Sequence, residues 1–101
     1  MTYRIRVAPR AAEQIRKAAG WWLRNRSKAP EAFAEEVERA FQLIRALPGV
    51  GERVAHPEHP ELRRVLLDRI RYHLYYVLSA DEEAVDVLAV WHTSRGSGPS
   101  L

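Results

Sequence analysis

Apolar and polar residues change their period several times along the chain, and each change marks an element. Thr2 to Val7 alternates, with Tyr3, Ile5 and Val7 on one side and Arg4 and Arg6 on the other, the pattern of a half-buried strand. Pro9 suits the first turn of a helix. From Arg10 to about Arg26 the apolar residues Ala12, Ile15, Ala19, Trp22 and Leu23 fall at three- and four-residue steps, one stripe of a helix. Pro30 opens a second helix with Glu31, Glu35 and Glu36 at its positive end. Phe33, Val37, Ala40, Phe41, Ile44 and Leu47 trace its stripe, and Pro48, Gly49 and Gly51 stop it. The short break between the two argues for an antiparallel hairpin.

Residues 52–61 have charges, two prolines and no period, which reads as a loop. Leu62 to Leu67 then reads as a strand, Asp68-Arg69 as a turn, and Ile70 to Leu78 as a long strand. On that strand Ile70, Tyr72, Leu74, Tyr76 and Leu78 share the face expected beneath the helices. Arg71, His73, Tyr75 and Val77 share the other. Ala84 to His92 is apolar on both sides, as a central strand is. The expected fold is α+β: a β-α-α-β-β-β chain whose hairpin covers one face of a three- or four-stranded antiparallel sheet. The far face is expected to be left for another molecule. Residues 1–95 make one domain, and 96–101, rich in Gly, Ser and Pro, make a flexible tail.

Charge sharpens this picture. Residues 1–28 carry eight Arg/Lys and one Glu, whereas 29–61 carry three Arg and seven Glu. The basic first strand and helix suit nucleic acid or an acidic partner, or simply complement the acidic second helix. The chain has no cysteine, hence no disulfides or thiolate chemistry. No apolar run approaches the roughly 20 residues that span a bilayer. The charged start is unlike a signal peptide, so a cytoplasmic protein is expected, without membrane contact. His56-x-x-His59 sits in the Pro-rich loop with too few aimed ligands for a metal, and neither metal nor cofactor is expected. Trp21 and Trp22 cannot share one stripe. Trp22 belongs to the core, leaving Trp21 as a candidate anchor for a partner.

Three segments carry a family resemblance: Arg64-Val65-Leu66-Leu67, Tyr72-His73-Leu74-Tyr75-Tyr76-Val77 and Val87-Leu88-Ala89-Val90-Trp91-His92-Thr93-Ser94-Arg95. In this order and spacing they resemble the RelE/ParE toxin superfamily of type II toxin–antitoxin systems over roughly residues 2 to 95. The resemblance implies an antiparallel meander with the first strand added at an edge. It also implies a toxin neutralised by a cognate antitoxin whose disordered C-terminal segment folds onto it.

RelE-like members cut messenger RNA in the ribosome, using lysines and arginines on the exposed sheet face. ParE-like members bind and poison DNA gyrase. Here the corresponding strand is Arg63-Arg64-Val65-Leu66-Leu67, and the lysines are Lys17 and Lys28, both assigned to helix one. His73 stands where RelE-like sites have an arginine, and no tyrosine follows Arg95. An endonuclease would have to use His73, Arg71, Tyr75 and Arg95 as its catalytic set. The Trp91-His92-x-x-Arg95 ending resembles the ParE-like branch more closely. On that reading Arg64, Trp21, Trp91, His92 and Arg95 bind the target or the antitoxin, and the protein acts by inhibiting gyrase rather than as an enzyme. The alternatives are the ribosome-dependent endonuclease and a toxin-fold protein that only binds antitoxin.

Overall fold

The computed structural model describes residues 2–101. The elements are β1 (Arg4–Val7), α1 (Pro9–Asn25), α2 (Ala32–Ala46), β2 (Glu52–Arg53), β3 (Arg63–Leu67), β4 (Tyr72–Ser79), a short 3-10 turn (Ala80–Glu82) and β5 (Ala84–His92). Two helices lie on one face of a five-stranded sheet of order β1-β5-β4-β3-β2. The α+β class and the helical hairpin are as expected. The sheet differs in two details. The segment read as a loop contributes β2, two residues paired antiparallel with β3. Glu52 and Arg53 have no apolar alternation to announce a strand; the backbone ladder and the Glu52–Arg64 ion pair at 2.5 Å hold them there. The first strand does join at an edge, but it runs parallel to β5, so the sheet is mixed.

The helix stripes shift slightly from those expected. On α1 the fully buried residue is Ala11 rather than Ala12, and Leu23 is exposed. α1 ends at Asn25, which leaves Lys28 outside it. On α2, Phe33, Val37, Ala40 and Ile44 are buried, while Leu47 lies past the last turn and faces solvent. These residues meet Leu74, Tyr76, Val85, Val87 and Val90 from the sheet in the main core. Burial of this apolar surface, worth about 25 cal/mol per Å², is the principal stabilising term.

A bulge explains why β5 is apolar on both sides. Tyr75 pairs with Ala89 but Tyr76 pairs with Val87, so Leu88 is an extra residue. Val85, Val87 and Val90 therefore reach the helices, and Leu88, Ala89 and Trp91 turn to the far face. There they join Leu62, Tyr75, Val54, Val77 and Leu101 in a second, smaller cluster. The far face is thus partly covered by the chain's own 54–62 connection and by its last residues. The tail has three contacts: Ser97 O accepts from Trp91 Nε1 at 2.8 Å, Ser100 O accepts from Arg10 at 2.7 Å, and Leu101 packs in the second cluster.

Of the two strand-one arginines, Arg6 is engaged within the chain. Its guanidinium grips Asp86 through Nε–Oδ1 at 2.6 Å and Nη2–Oδ2 at 2.9 Å, and also pairs with Glu82. Ser79 Oγ donates to Asp86 at 2.6 Å. The Arg6 bonds hold the Asp86 carboxyl below its ordinary value near 3.8, against the opposing effect of burial. A depressed carboxylate contributes stability that is present above its unfolded value and lost as pH falls through the folded one. Asp86→Asn is therefore expected to lower the urea midpoint at neutral pH and to leave a flatter acid limb below the ordinary aspartate range. Parallel acid limbs for the two proteins would refute the assignment.

Candidate functional site

The strands that carry the candidate residues end at one side of the molecule, and β1 is too short to cover that end. It pairs with β5 only from Ala84 to Val87, after which Ala8 donates to Val87 O at 2.9 Å and the chain turns into α1 at Pro9. The rest of β5 lies beside α1. There Gln14 Oε1 accepts the Val90 N–H at 2.8 Å, taking the place of a strand partner.

Between α1 and this end of the sheet lies a cleft of about 710 Å³. Its helix wall carries Trp21, Trp22 and Arg26, with the two indoles edge to face at 6.2 Å. Arg26 lies over both rings, 5.1 Å from the centre of Trp21 and 5.4 Å from that of Trp22. The sheet wall carries Trp91, His92 and Arg95, with the Arg95 guanidinium 4.1 Å above the Trp91 ring. Cation–π stacking of this kind fixes the guanidinium plane and leaves its N–H edges free to donate. The His92 ring accepts the Ser94 N–H at Nδ1 at 3.0 Å, so in the neutral ring the proton sits on Nε2.

The floor is Tyr72, edge-on to His92 at 5.0 Å and to Phe33 at 5.1 Å. Burial raises the Tyr72 phenol above its ordinary value, although Arg95 opposes this. The phenol therefore stays protonated at neutral pH. No carboxylate lines the cleft among the described residues. Its lining supplies donors, cations and flat rings, which suits binding of anionic, partly aromatic groups.

Trp21, Arg71, Trp91, His92 and Arg95 come together here. Arg71 reaches the cleft by a route the sequence reading did not foresee. Residues 68–71 form the turn and β4 begins only at Tyr72, so Arg71 does not share a strand face with His73 and Tyr75. Arg71 has a left-handed backbone, φ 61°, held by its N–H to Leu67 O at 2.8 Å and by Thr93 N–H to its own carbonyl at 2.9 Å. Its guanidinium pairs with Asp68 at 2.5 Å.

Arg64, His73 and Tyr75 do not line the cleft; they lie on the far face of the sheet, where His73 pairs across the strands with Trp91. Tyr75 is only 5% exposed and its hydroxyl accepts from Arg64 at 3.3 Å. Arg64 is also bound to Glu52. His73 stands edge-on to Tyr75 at 6.1 Å. Burial first, then the charge of Arg64, holds its imidazole below 6.5, so it is neutral at physiological pH. The far face therefore holds a neutral ring, a buried phenol and an ion-paired arginine.

Sequence reasoning missed Arg26, Tyr72 and Gln14. Arg26 had a signal: it stands four and five residues after the two tryptophans, close enough along a helix to cover them. Tyr72 was read as core, which it is on one side only. The described residues hold no group of His, Asp or Glu able to bind a metal, and the His56 and His59 rings lie tilted to each other at 5.0 Å in the loop. Among the described residues no helix is long and apolar enough to cross a membrane.

A family model described as the ParE toxin of a type II toxin–antitoxin system, parDE, matches residues 5–96. No curated protein sequence matches. The fold resembles that of the isolated E. coli RelE toxin, with a TM-score of 0.68 and 16% identity over 94% of this chain and 88% of that one. It also resembles a chain of the RelBE2 toxin–antitoxin complex of Mycobacterium tuberculosis, at 0.66 and 22% over 91% and 99%. A third resemblance is to the chromosomal ParDE system of P. aeruginosa, at 0.63 and 14% over 92% and 98%.

Proposed function

Because the chain belongs to the ParE toxin family of type II toxin–antitoxin systems, we propose that it acts by binding and inhibiting DNA gyrase in the cytoplasm, with no covalent chemistry of its own. One observation carries this reading. Of the four residues an endonuclease would need, Tyr75 is buried with its hydroxyl bonded to Arg64, Arg71 is ion-paired with Asp68, and His73 is held neutral by burial. In-line attack on a phosphate needs its proton acceptor, proton donor and cations around one reacting atom. The cleft instead collects Trp21, Trp91, His92 and Arg95 into one surface, and Trp and Arg are the residues most often found as interface anchors. A cognate antitoxin with a disordered segment neutralises the protein by folding over exposed surface of this kind.

Purified protein is expected to inhibit supercoiling of relaxed plasmid by gyrase. Trp91→Ala with Arg95→Ala should weaken inhibition by about tenfold or more, the scale of losing an anchor worth over 1.4 kcal/mol. Full supercoiling in the presence of a large excess of the chain would remove the gyrase reading. If translated messenger RNA were instead cut at codon positions, and cutting were lost in His73→Ala, the endonuclease would take its place.

A further inference from the structure

The cleft contains five cationic side chains, and they are not equivalent. Lys17 has Glu13 at 3.7 Å, Arg69 has Glu35 at 3.3 Å and Arg71 has Asp68 at 2.5 Å. Arg26 and Arg95 have no carboxylate partner among the described residues, and these are the two that lie on tryptophan rings. A guanidinium stacked this way keeps one face on the indole. It offers its in-plane N–H fork to an oxyanion and its other face to a flat ring. Trp21 is 44% exposed beside Arg26, an unusual exposure for a residue that gains so much by burial.

We propose that this cleft is a single-stranded nucleic-acid site, in which a base stacks against Trp21 and its Arg26 neighbour while flanking phosphates take the forks of Arg26 and Arg95. An acidic peptide would use the cations but leave the indole surface in water. A nucleotide uses both, since every base has a π-face and every phosphate accepts a bidentate fork. The volume, about 710 Å³, accommodates such a ligand. The cationic bias of residues 1–28 adds a positive field along α1 that favours an anionic ligand. The site does not depend on gyrase. It adds a direct contact with nucleic acid to a protein whose proposed target handles DNA.

The test is titration of the intrinsic tryptophan fluorescence with DNA and RNA 12-mers of one sequence and with a poly-glutamate peptide of equal charge, at several salt concentrations. Either oligonucleotide should bind, with log K falling against log salt at a slope of about −1.4 for two phosphates on a single strand. Arg26→Ala and Arg95→Ala should each bring the slope to about −0.7. Trp21→Ala should weaken binding by about tenfold and leave the slope unchanged, because stacking releases no counterion. Arg53→Ala, which removes one charge remote from the cleft, should change neither quantity. All four positions are exposed or near-surface, and circular dichroism checks that each variant is folded. Poly-glutamate binding as tightly as the oligonucleotides would overturn the proposal, as would oligonucleotide binding that ignores Arg26, Arg95 and Trp21. Because gyrase is absent from this titration, failure of supercoiling inhibition leaves its outcome unaffected.

Discussion

Tyr76→Ala is expected to cost about 3–5 kcal/mol, a large part of the roughly 5–15 kcal/mol that holds a domain of this size folded. The ring is fully buried in the main core, so truncation removes its contacts and opens a cavity. Its hydroxyl accepts the Gly51 N–H at 2.9 Å and donates to Pro48 O at 2.7 Å, joining the sheet to the connection after α2. Burial raises the phenol above its ordinary value, so it remains a donor throughout the neutral range. Alanine would strand both backbone groups. Tyr76→Phe separates the two effects, since it keeps the ring and loses only the hydroxyl, at about 1–3 kcal/mol. Denaturant unfolding of the three proteins should rank them in that order. If Phe and Ala proved equally damaging, the hydroxyl rather than the packed ring would be the dominant element.

The same node shows why Gly51 is glycine. A Cβ there would come within 2.7 Å of the Tyr76 hydroxyl and 2.8 Å of the Arg64 carbonyl, both fixed by the fold. Arg63 closes the arrangement by donating to the Gly51 carbonyl at 2.6 Å. The sequence shows the glycine and the tyrosine but not that they touch, because 25 residues separate them. Loop composition marked the stop of α2; only the sheet's register brings the hydroxyl beneath it.

That contrast runs through the whole molecule. Periods of 2 and 3.6 located both helices and four of the five strands, since each buries a stripe that leaves a trace in the sequence. β2 leaves none, being two charged residues held by backbone pairing. The β5 bulge is equally silent, because Leu88 and Ala89 are both apolar and either register fits the pattern. On α1, alanines at both 11 and 12 made the stripe ambiguous by one position, and only Ala11 is buried.

For the site, Trp21 and the Trp91-His92-x-x-Arg95 ending were visible, as large or charged residues with no core role at their positions. Arg71 was misread because its left-handed turn carries neither glycine nor asparagine to signal it. Reading the strand from Ile70, when it begins at Tyr72, placed the arginine on a strand face instead of in the turn before it.

Phe33→Ala is expected to have the second large effect, about 3–5 kcal/mol, and to reach the cleft as well as the core. Phe33 is 1% exposed at the start of α2, and its ring meets Tyr72 edge to face at 5.1 Å. Tyr72 meets His92 in the same way at 5.0 Å, so three rings run from the buried helix to the cleft floor. Aromatic edge contacts add about 0.5–1.5 kcal/mol beyond area burial, and they fix ring planes as well as stabilise. Without Phe33, Tyr72 loses its support from behind and can turn into the space left. His92 then has a floor that moves, and Arg95 and Trp91 follow the same strand end. Phe33→Leu fills most of the volume and should cost less than half as much in stability, yet it gives Tyr72 no ring edge to rest on. Gyrase inhibition measured well below the melting temperature of both variants separates folding from positioning. Weakened inhibition in Phe33→Leu, measured where the variant is fully folded, would show that the cleft is positioned from the core. Unchanged inhibition in both folded variants would mean that the three rings serve packing alone.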